Sequence, residues 1–129
     1  MRLPILAAPI LAAPIGVAPI GVALILLAPA AASAHAILMQ SDPPDRSTVP
    51  AGPRNLVLHY NSRIDHTRSR LTLQGTNAQK VLPLEDGSGP DVLAAKADLS
   101  PGDYVVHWQV LATDGHLTRG DLRFRVTAP

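Results

Sequence analysis

The residue with the most distinctive chemistry in this sequence is His35, because it directly follows Ala32-Ser33-Ala34. Small residues in this arrangement are typical of the end of a secretory signal peptide. We therefore predict that residues 1–34 are a cleaved signal peptide and that residues 35–129 form the mature domain. His35 would then carry a free α-amine beside its imidazole Nδ1, and these two nitrogens could chelate one metal ion.

The leader leaves a second possibility open, which is a retained membrane anchor. Arg2 is its only charged residue, and an apolar stretch of this length can span a bilayer. Prolines at positions 4, 9, 14, 19 and 29 interrupt its helical potential. Residues 21–28 are the part best suited to a helix, and no cluster of Lys or Arg follows them. These features favour cleavage and export by the general secretory route.

A second group able to bind a metal is Asp114-Gly115-His116, which follows the longest alternating segment of the chain. Gly115 can adopt turn conformations that other residues resist, so the turn could aim Asp114 and His116 at one point. Alone, Asp-Gly is an ordinary hairpin signal. Together with His35, this segment offers one amine, two imidazoles and one carboxylate. Such a set of nitrogen and oxygen donors suits the square plane that Cu(II) prefers.

The other histidines lie at positions that favour solvated surface side chains. His59 and His107 occupy outward positions of predicted strands, and His66 lies in a polar stretch. Whether His59 and His107 face each other across a sheet stays open at this point. The serines form no nucleophile elbow, and the chain has neither a glycine-rich phosphate loop nor a His-Glu-x-x-His zinc motif. Hydrolytic chemistry therefore finds no support.

The composition of the mature domain excludes several classes of function. The chain has no cysteine, so neither disulfides nor thiolate ligands are available. Met39 is the only methionine after position 34, which excludes a thioether cluster and favours Cu(II), Zn(II) or Ni(II) over Cu(I). One of the 11 basic side chains is Arg2, so the mature domain has as many basic side chains as the 10 acidic ones. We expect no basic stripe and no nucleic-acid partner.

Hydrophobic residues alternate with polar ones along most of the mature domain, which predicts an all-β sandwich. The predicted strands contain Leu56–Tyr60, Leu71–Leu73, Val81–Leu84, Tyr104–Val110 and Leu122–Val126. Turn clusters are expected at residues 41–44, 50–53, 85–90 and 100–103. Only residues 92–98 are compatible with a helix, and they could equally form an extended crossover.

The four aromatic residues of the mature domain fall on the inward side of their strands, so we expect them in the core. They are Tyr60, Tyr104, Trp108 and Phe124. Tyr104 follows Pro101-Gly102-Asp103 and opens a long strand, which resembles the tyrosine corner of Greek-key sandwiches. No exposed aromatic surface is left for stacking on bases or sugars.

Two sets of motifs resemble the CopC-type periplasmic copper-resistance proteins. The first half carries His35-Ala36-x-Leu38-x-x-Ser41-x-Pro43, Pro50-x-x-Pro53 and Leu58-His59-Tyr60. The second half carries Leu99-x-Pro101-Gly102-x-Tyr104-x-Val106-x-Trp108, Asp114-Gly115-His116 and Gly120-x-Leu122-x-Phe124-x-Val126. The combination is specific and covers essentially all of residues 35–129.

The resemblance implies an immunoglobulin-like, cupredoxin-like Greek-key β-sandwich or barrel of about seven strands. It also implies a periplasmic protein that binds one Cu(II) per chain through the amine and imidazole of His35, Asp114 and His116. An inner-membrane copper transporter is the partner that it suggests. We expect a monomer that does not insert stably into a membrane after cleavage.

The sequence departs from the CopC pattern in two places. Many members carry a Glu shortly after the first core strand, where this chain has Ser62; an outer-shell or fifth-ligand carboxylate is therefore absent or supplied by another residue such as Asp65. Some members also carry a Met-rich loop for Cu(I), which this chain lacks, so we expect no Cu(I) site.

Three functions remain to be compared. The first is a non-catalytic Cu(II) carrier or buffer for copper homeostasis and resistance. The second is a copper monooxygenase, because such enzymes also place a terminal histidine on a β-sandwich; Asp114 disfavours it, since its carboxylate would occupy the position that oxygen needs. The third is an immunoglobulin-like interaction module in which the histidines are incidental. We expect the carrier, and no enzyme.

Overall fold

The computed structural model describes residues 4, 9–10, 12–16 and 35–129. The predicted cleavage site at residues 32–34 and the helix-compatible residues 21–28 lie outside the described residues. Contacts divide the chain into two units, Met1–Ala30 and Ala31–Pro129. All eight strands lie in the second unit. Within the described part of the chain, no helix has the length and apolar character needed to cross a bilayer.

Eight strands form two sheets. They are β1 (Leu38–Asp42), β2 (Ser47–Pro50), β3 (Gly52–Tyr60), β4 (Ile64–Gln74), β5 (Gln79–Leu82), β6 (Val92–Leu99), β7 (Gly102–Ala112) and β8 (Leu117–Thr127). The smaller sheet has the order β1-β3-β6, and the larger has the order β2-β8-β7-β4-β5. Only the β2–β8 pair is parallel among these strands. The predicted all-β sandwich is confirmed, with eight strands rather than about seven.

The segment at residues 92–98, for which the sequence left both a helix and an extended crossover open, is extended and forms a strand. Its alanines and lysine suit a helix locally, but Leu93, Ala95, Ala97 and Leu99 alternate toward the core. The segment pairs with β3 along its whole length. Pairing and burial therefore override the local preference.

Several strand limits also differ from the sequence prediction. β1 and β2 were not predicted, and the expected turn at residues 41–44 overlaps the end of β1. β3 begins at Gly52, inside the expected turn at residues 50–53. β5 ends at Leu82, before Pro83, because proline has no N–H to donate to the sheet.

The core contains alternate side chains from both sheets, including the fully buried Leu56, Leu58, Leu71, Val106 and Leu122. Every member of this buried cluster lies between Ala36 and Val126. Among the described residues, the hydrophobic core therefore lies within residues 35–129.

The aromatic residues occupy the predicted inward positions. Trp108 packs edge-on against Tyr60, with ring centroids 5.4 Å apart. Its indole also covers Gly120, where an added Cβ would lie 2.3 Å from Cζ2 of Trp108. Only glycine fits at this position. Tyr104 stacks on Phe124, and its hydroxyl donates a hydrogen bond to the carbonyl of Ser100 at 2.8 Å. This contact confirms the tyrosine corner.

Candidate metal centre

The β7–β8 hairpin presents two of the predicted metal ligands. The N–H of Ala112 donates to the carbonyl of His116 at 2.9 Å, and the N–H of Gly115 donates to the carbonyl of Ala112 at 2.9 Å. The loop between them is short, and hairpins of this kind need a residue with positive φ. Gly115 supplies it with φ 90°. The turn therefore holds Asp114 and His116 in a fixed relation at one end of the larger sheet.

Asp114 is held by contacts with His116, two residues later in the chain. Its Oδ1 accepts the N–H of His116 at 3.0 Å, and its Oδ2 lies 2.9 Å from Nδ1 of the same residue. The backbone N–H of His116 is the main cause that lowers the pKa of Asp114. Desolvation opposes this effect, and the imidazoles of His116 and His35 lower the pKa further. The carboxylate is therefore charged at neutral pH, as a metal ligand must be.

His35 is brought to the hairpin by an anchor formed by the two residues that follow it. Ala36 is completely buried in the core, and its carbonyl accepts a hydrogen bond from the Thr118 hydroxyl at 3.0 Å. Ile37 exchanges two bonds with Asn61, donating to its Oδ1 at 2.7 Å and accepting its N–H at 3.0 Å. We call Ala36, Ile37, Asn61 and Thr118 the N-terminal clamp.

The structure brings the three predicted ligands together. One donor atom each from His35, Asp114 and His116 lies within 4.8 Å of the other two, and all three residues are exposed. The imidazole centroids of His35 and His116 are 4.5 Å apart, with the rings inclined at 50°. Bonds of about 2 Å place opposite ligands of one metal about 4 Å apart. Small side-chain movements therefore suffice to bind one ion.

The fourth donor depends on processing. In the full chain the nitrogen of His35 is bonded to Ala34 and is therefore an amide. The three side chains can approach each other in this form, whereas chelation by an amine requires that residues 1–34 be removed. Among the described residues, these three form the sole group of His, Asp or Glu with the geometry of a metal site.

The remaining histidines lie apart from this group. His59 is exposed on β3 of the smaller sheet and His107 lies on β7 of the larger one, so they do not face each other across a sheet. Two of them are only partly exposed and make contacts through ring nitrogens. Nε2 of His66 lies 2.7 Å from the carbonyl of Val92. His107 is half-buried.

Both ring nitrogens of His107 are in contact with side-chain oxygens. Nδ1 lies 2.6 Å from Oδ1 of Asp121, and Nε2 lies 2.6 Å from Oε1 of Gln74. No local sequence pattern indicates this cluster, because its members come from three different strands. The only available signal was the polar, outward position of each residue.

The position where many CopC proteins carry Glu has no carboxylate in this structure. Ser62 is half-buried there. Asp65, the suggested replacement, accepts the Thr67 hydroxyl at 2.7 Å and the N–H groups of Thr67 and Arg68 at 3.0 and 3.3 Å. These local bonds, the Thr67 hydroxyl above all, lower the pKa of Asp65. Asp65 is not a member of the three-residue group.

Comparisons with known proteins agree with the motifs. The CopC domain profile matches residues 38–127, which include Asp114 and His116 and begin just after His35. The chain is 33% identical over 111 residues to Copper resistance protein C of Xanthomonas campestris pv. juglandis, covering 78% of this chain and 86% of that protein. It is 31% identical over 98 residues to protein YobA of Escherichia coli K12, covering 72% and 79%.

Two solved structures have the same fold. CopC from Methylosinus trichosporium OB3b superposes with a TM-score of 0.65 at 24% identity, over 73% of this chain and 95% of that one. PcoC from Escherichia coli, described as a methionine-rich copper resistance protein, superposes with a TM-score of 0.59 at 25% identity, over 72% and 99%.

Proposed function

We propose that this chain is a Cu(II)-binding protein of copper resistance and homeostasis. It belongs to the CopC domain family, and it carries three converging donor side chains. In this proposal the mature chain begins at His35 and acts in the periplasm as a copper carrier or buffer. One Cu(II) is bound by the α-amine and imidazole of His35, the carboxylate of Asp114 and the imidazole of His116. The observation that supports this most is the grouping of the three donor atoms within 4.8 Å.

The chemistry of the donors favours Cu(II). The set contains nitrogen and oxygen only, and Cu(II) has the highest affinity of the divalent first-row metals for such ligands. Cu(I) prefers thioethers and thiolates, whereas the whole chain has two methionines and no cysteine. In this respect it differs from PcoC, whose description names it methionine-rich.

The exposed position of the donors suits a carrier. His35, Asp114 and His116 are all open to solvent, so an ion can be loaded and passed on without unfolding. With Asp114 in the plane, four donors fill the equatorial positions that a copper oxidase would need for oxygen. An inner-membrane copper transporter is the receiver that we propose, and no catalytic step is required of the protein.

The decisive experiment compares two N-termini. Protein beginning at His35 and protein with one added Gly before His35 are titrated with Cu(II) against a competing chelator. We expect affinity to be at least about 100-fold higher for the chain beginning at His35, because loss of a metal ligand exceeds the 10- to 100-fold cost of losing an outer-shell contact. Equal affinities would contradict the role of the amine. Intact mass of the exported protein tests the cleavage site separately.

A further inference from the structure

The outer face of the larger sheet collects arginines that are dispersed in the sequence. Residues 119, 121, 123 and 125 alternate along β8 with the buried Leu122, Phe124 and Val126, so they point away from the core. Register places Arg119 beside Gln109, Arg123 beside Val105 and Arg125 beside Asp103. We call the face that contains Arg46, Arg70, Arg119, Arg123 and Arg125 the arginine face.

The two arginines outside β8 belong to the same surface. Arg70 of β4 pairs with Gln109, which in turn pairs with Arg119. Arg46, just before β2, lines one shallow hollow together with Arg123 and Arg125. All five arginines are exposed. The expectation of no basic stripe was therefore wrong for the folded domain, because strand pairing assembles what the linear sequence keeps apart.

Acidic groups balance only part of this charge. The face and its border hold three aspartates, and all three are paired: Asp103 accepts from Arg125 at 2.8 Å, Asp121 contacts Arg123 at 3.2 Å, and Asp45 lies 3.8 Å from Arg46. Arg119 donates to the neutral Gln109 at 2.7 Å. Among the ion pairs of the described residues, none includes Arg70 or Arg119. The face thus has a clear excess of positive charge.

The opposite face of the sandwich has no such excess. The outward residues of the smaller sheet include Asp42, Lys96 and Asp98. Because basic and acidic side chains are equal in number over residues 35–129, the positive charge of the arginine face reflects an uneven distribution rather than a basic protein. Such a distribution orients a molecule in an electric field.

The dimensions of the face argue for an extended anionic partner. From Arg119 to Arg125 along β8 the face extends about 20 Å, and from β8 to Arg70 on β4 it extends about 10 Å. One small anion cannot contact all of these guanidinium groups. Guanidinium groups bind phosphates with paired hydrogen bonds, and the predicted apolar leader would bring the chain to a membrane. A membrane surface is extended, as this face is, and presents many phosphates.

From this charge and shape we propose that the arginine face docks the mature domain onto anionic phospholipid headgroups. The contact is peripheral and involves no insertion, because the large apolar side chains exposed on this sheet, Val81 on β5 and Leu117 at the start of β8, are isolated from each other rather than clustered. His35, Asp114 and His116 lie at the end of the sandwich rather than on this face, so the docked domain keeps its metal donors accessible. The proposal does not depend on copper.

Vesicle cosedimentation tests the proposal. Protein comprising residues 35–129 is mixed, without copper, with vesicles of phosphatidylcholine alone or with a substantial fraction of phosphatidylglycerol. We expect binding only to the anionic vesicles, and loss of binding as salt is raised. The double variant R70Q/R119Q removes two unpaired charges. At about 1 kcal/mol per arginine near an anionic surface, it should bind about 30-fold more weakly.

The matched control is R54Q/K96Q, which loses the same charge from elements of the smaller sheet. It should retain the binding of the unmodified domain. Equal weakening in both double variants would mean that overall charge, not this face, is responsible. No binding to anionic vesicles at low salt, or binding that does not require phosphatidylglycerol, would overturn the proposal. Circular dichroism of each variant verifies that the sandwich is folded.

Discussion

Two histidine–aspartate pairs in this protein have the same first contact and different surroundings. In the hairpin, Nδ1 of His116 lies 2.9 Å from Asp114, and on the larger sheet Nδ1 of His107 lies 2.6 Å from Asp121. Nε2 of His107 is occupied by Gln74 at 2.6 Å. His116 instead lies beside the imidazole of His35.

The different surroundings of the two pairs show what makes such a pair a candidate metal site. A carboxylate beside an imidazole is common to both, so it cannot be sufficient. The hairpin pair is joined by a third donor and is exposed, whereas the ring of His107 is fixed between two strands by both nitrogens. Metal binding requires at least one free ring nitrogen that converges with other donors, and of these two pairs the hairpin pair meets this requirement.

Substitution of a metal ligand should have the largest effect on Cu(II) affinity. His35→Ala and His116→Ala should each weaken Cu(II) binding by more than about 100-fold, because each removes a ligand rather than an outer-shell contact. His107→Ala should leave the affinity unchanged within about twofold, although it removes two hydrogen bonds that are each worth about 1 kcal/mol to stability. Competition titration measures the affinity, and thermal unfolding measures the stability.

Asp114→Asn sharpens this ranking. An amide oxygen can still occupy the ligand position without its charge, so we expect a smaller loss than for either histidine. A large loss of Cu(II) affinity in His107→Ala would show that the pair on the larger sheet also contributes a ligand.

The next effect concerns the clamp that gives the hairpin its third donor. Thr118→Val keeps the shape of the side chain but removes the hydroxyl that bonds to the carbonyl of Ala36. His35 should then be held less firmly, and Cu(II) affinity should fall about 10-fold, as it does when outer-shell partners of metal ligands are lost. Thr48→Val, on β2, is the control and should have no effect.

A merely structural role of Thr118 would give a different result. In that case Thr118→Val would lower the free energy of unfolding while the Cu(II) affinity and the electron paramagnetic resonance parameters of the bound copper stayed the same. We expect those parameters to change, because the plane of donors depends on where His35 lies.

The same comparison explains how much could be predicted from the sequence. Asp114 and His116 are separated by one residue, so a turn signal was enough to place them together. The clamp was not foreseen, because Asn61 and Thr118 lie 24 and 82 residues from their partners. Only the folded arrangement, in which the start of β8 and the residue just after β3 contact residues 36 and 37, could reveal it.

The strands also differ in how well the sequence predicts them. Long alternating segments such as β7 were recognised because period-two alternation over many residues is a strong signal. β1 and β2 were missed, since they are short and largely polar and depend on β3 and β8 for their hydrogen bonds. The arginine face required the register of β4, β7 and β8, which no local pattern contains.

We expect the smallest effect at an irregular part of β4 that has the same local hydrogen bond as the hairpin pair. Oδ1 of Asp65 accepts the N–H of Thr67 at 3.0 Å, as Oδ1 of Asp114 accepts that of His116 at 3.0 Å. Here a hydroxyl takes the place of the imidazole, so Asp65 lacks the neighbouring donors of a metal site. Asp65→Asn should therefore leave Cu(II) affinity unchanged. A clear loss would assign Asp65 to the metal site.

The titration of Asp65 tests the same part of β4 without metal. Its pKa is lowered chiefly by the Thr67 hydroxyl, so Thr67→Val should raise it toward the ordinary value of about 3.9. A lowered pKa means that this carboxylate stabilises the folded state above the unfolded pKa, and that the contribution disappears as pH falls through the folded value. The variant should lose this contribution at neutral pH, and its stability should depend less on pH below about 4. Nuclear magnetic resonance titration of the carboxyl carbon measures the shift; an unchanged pKa would show that the backbone N–H groups alone hold the charge.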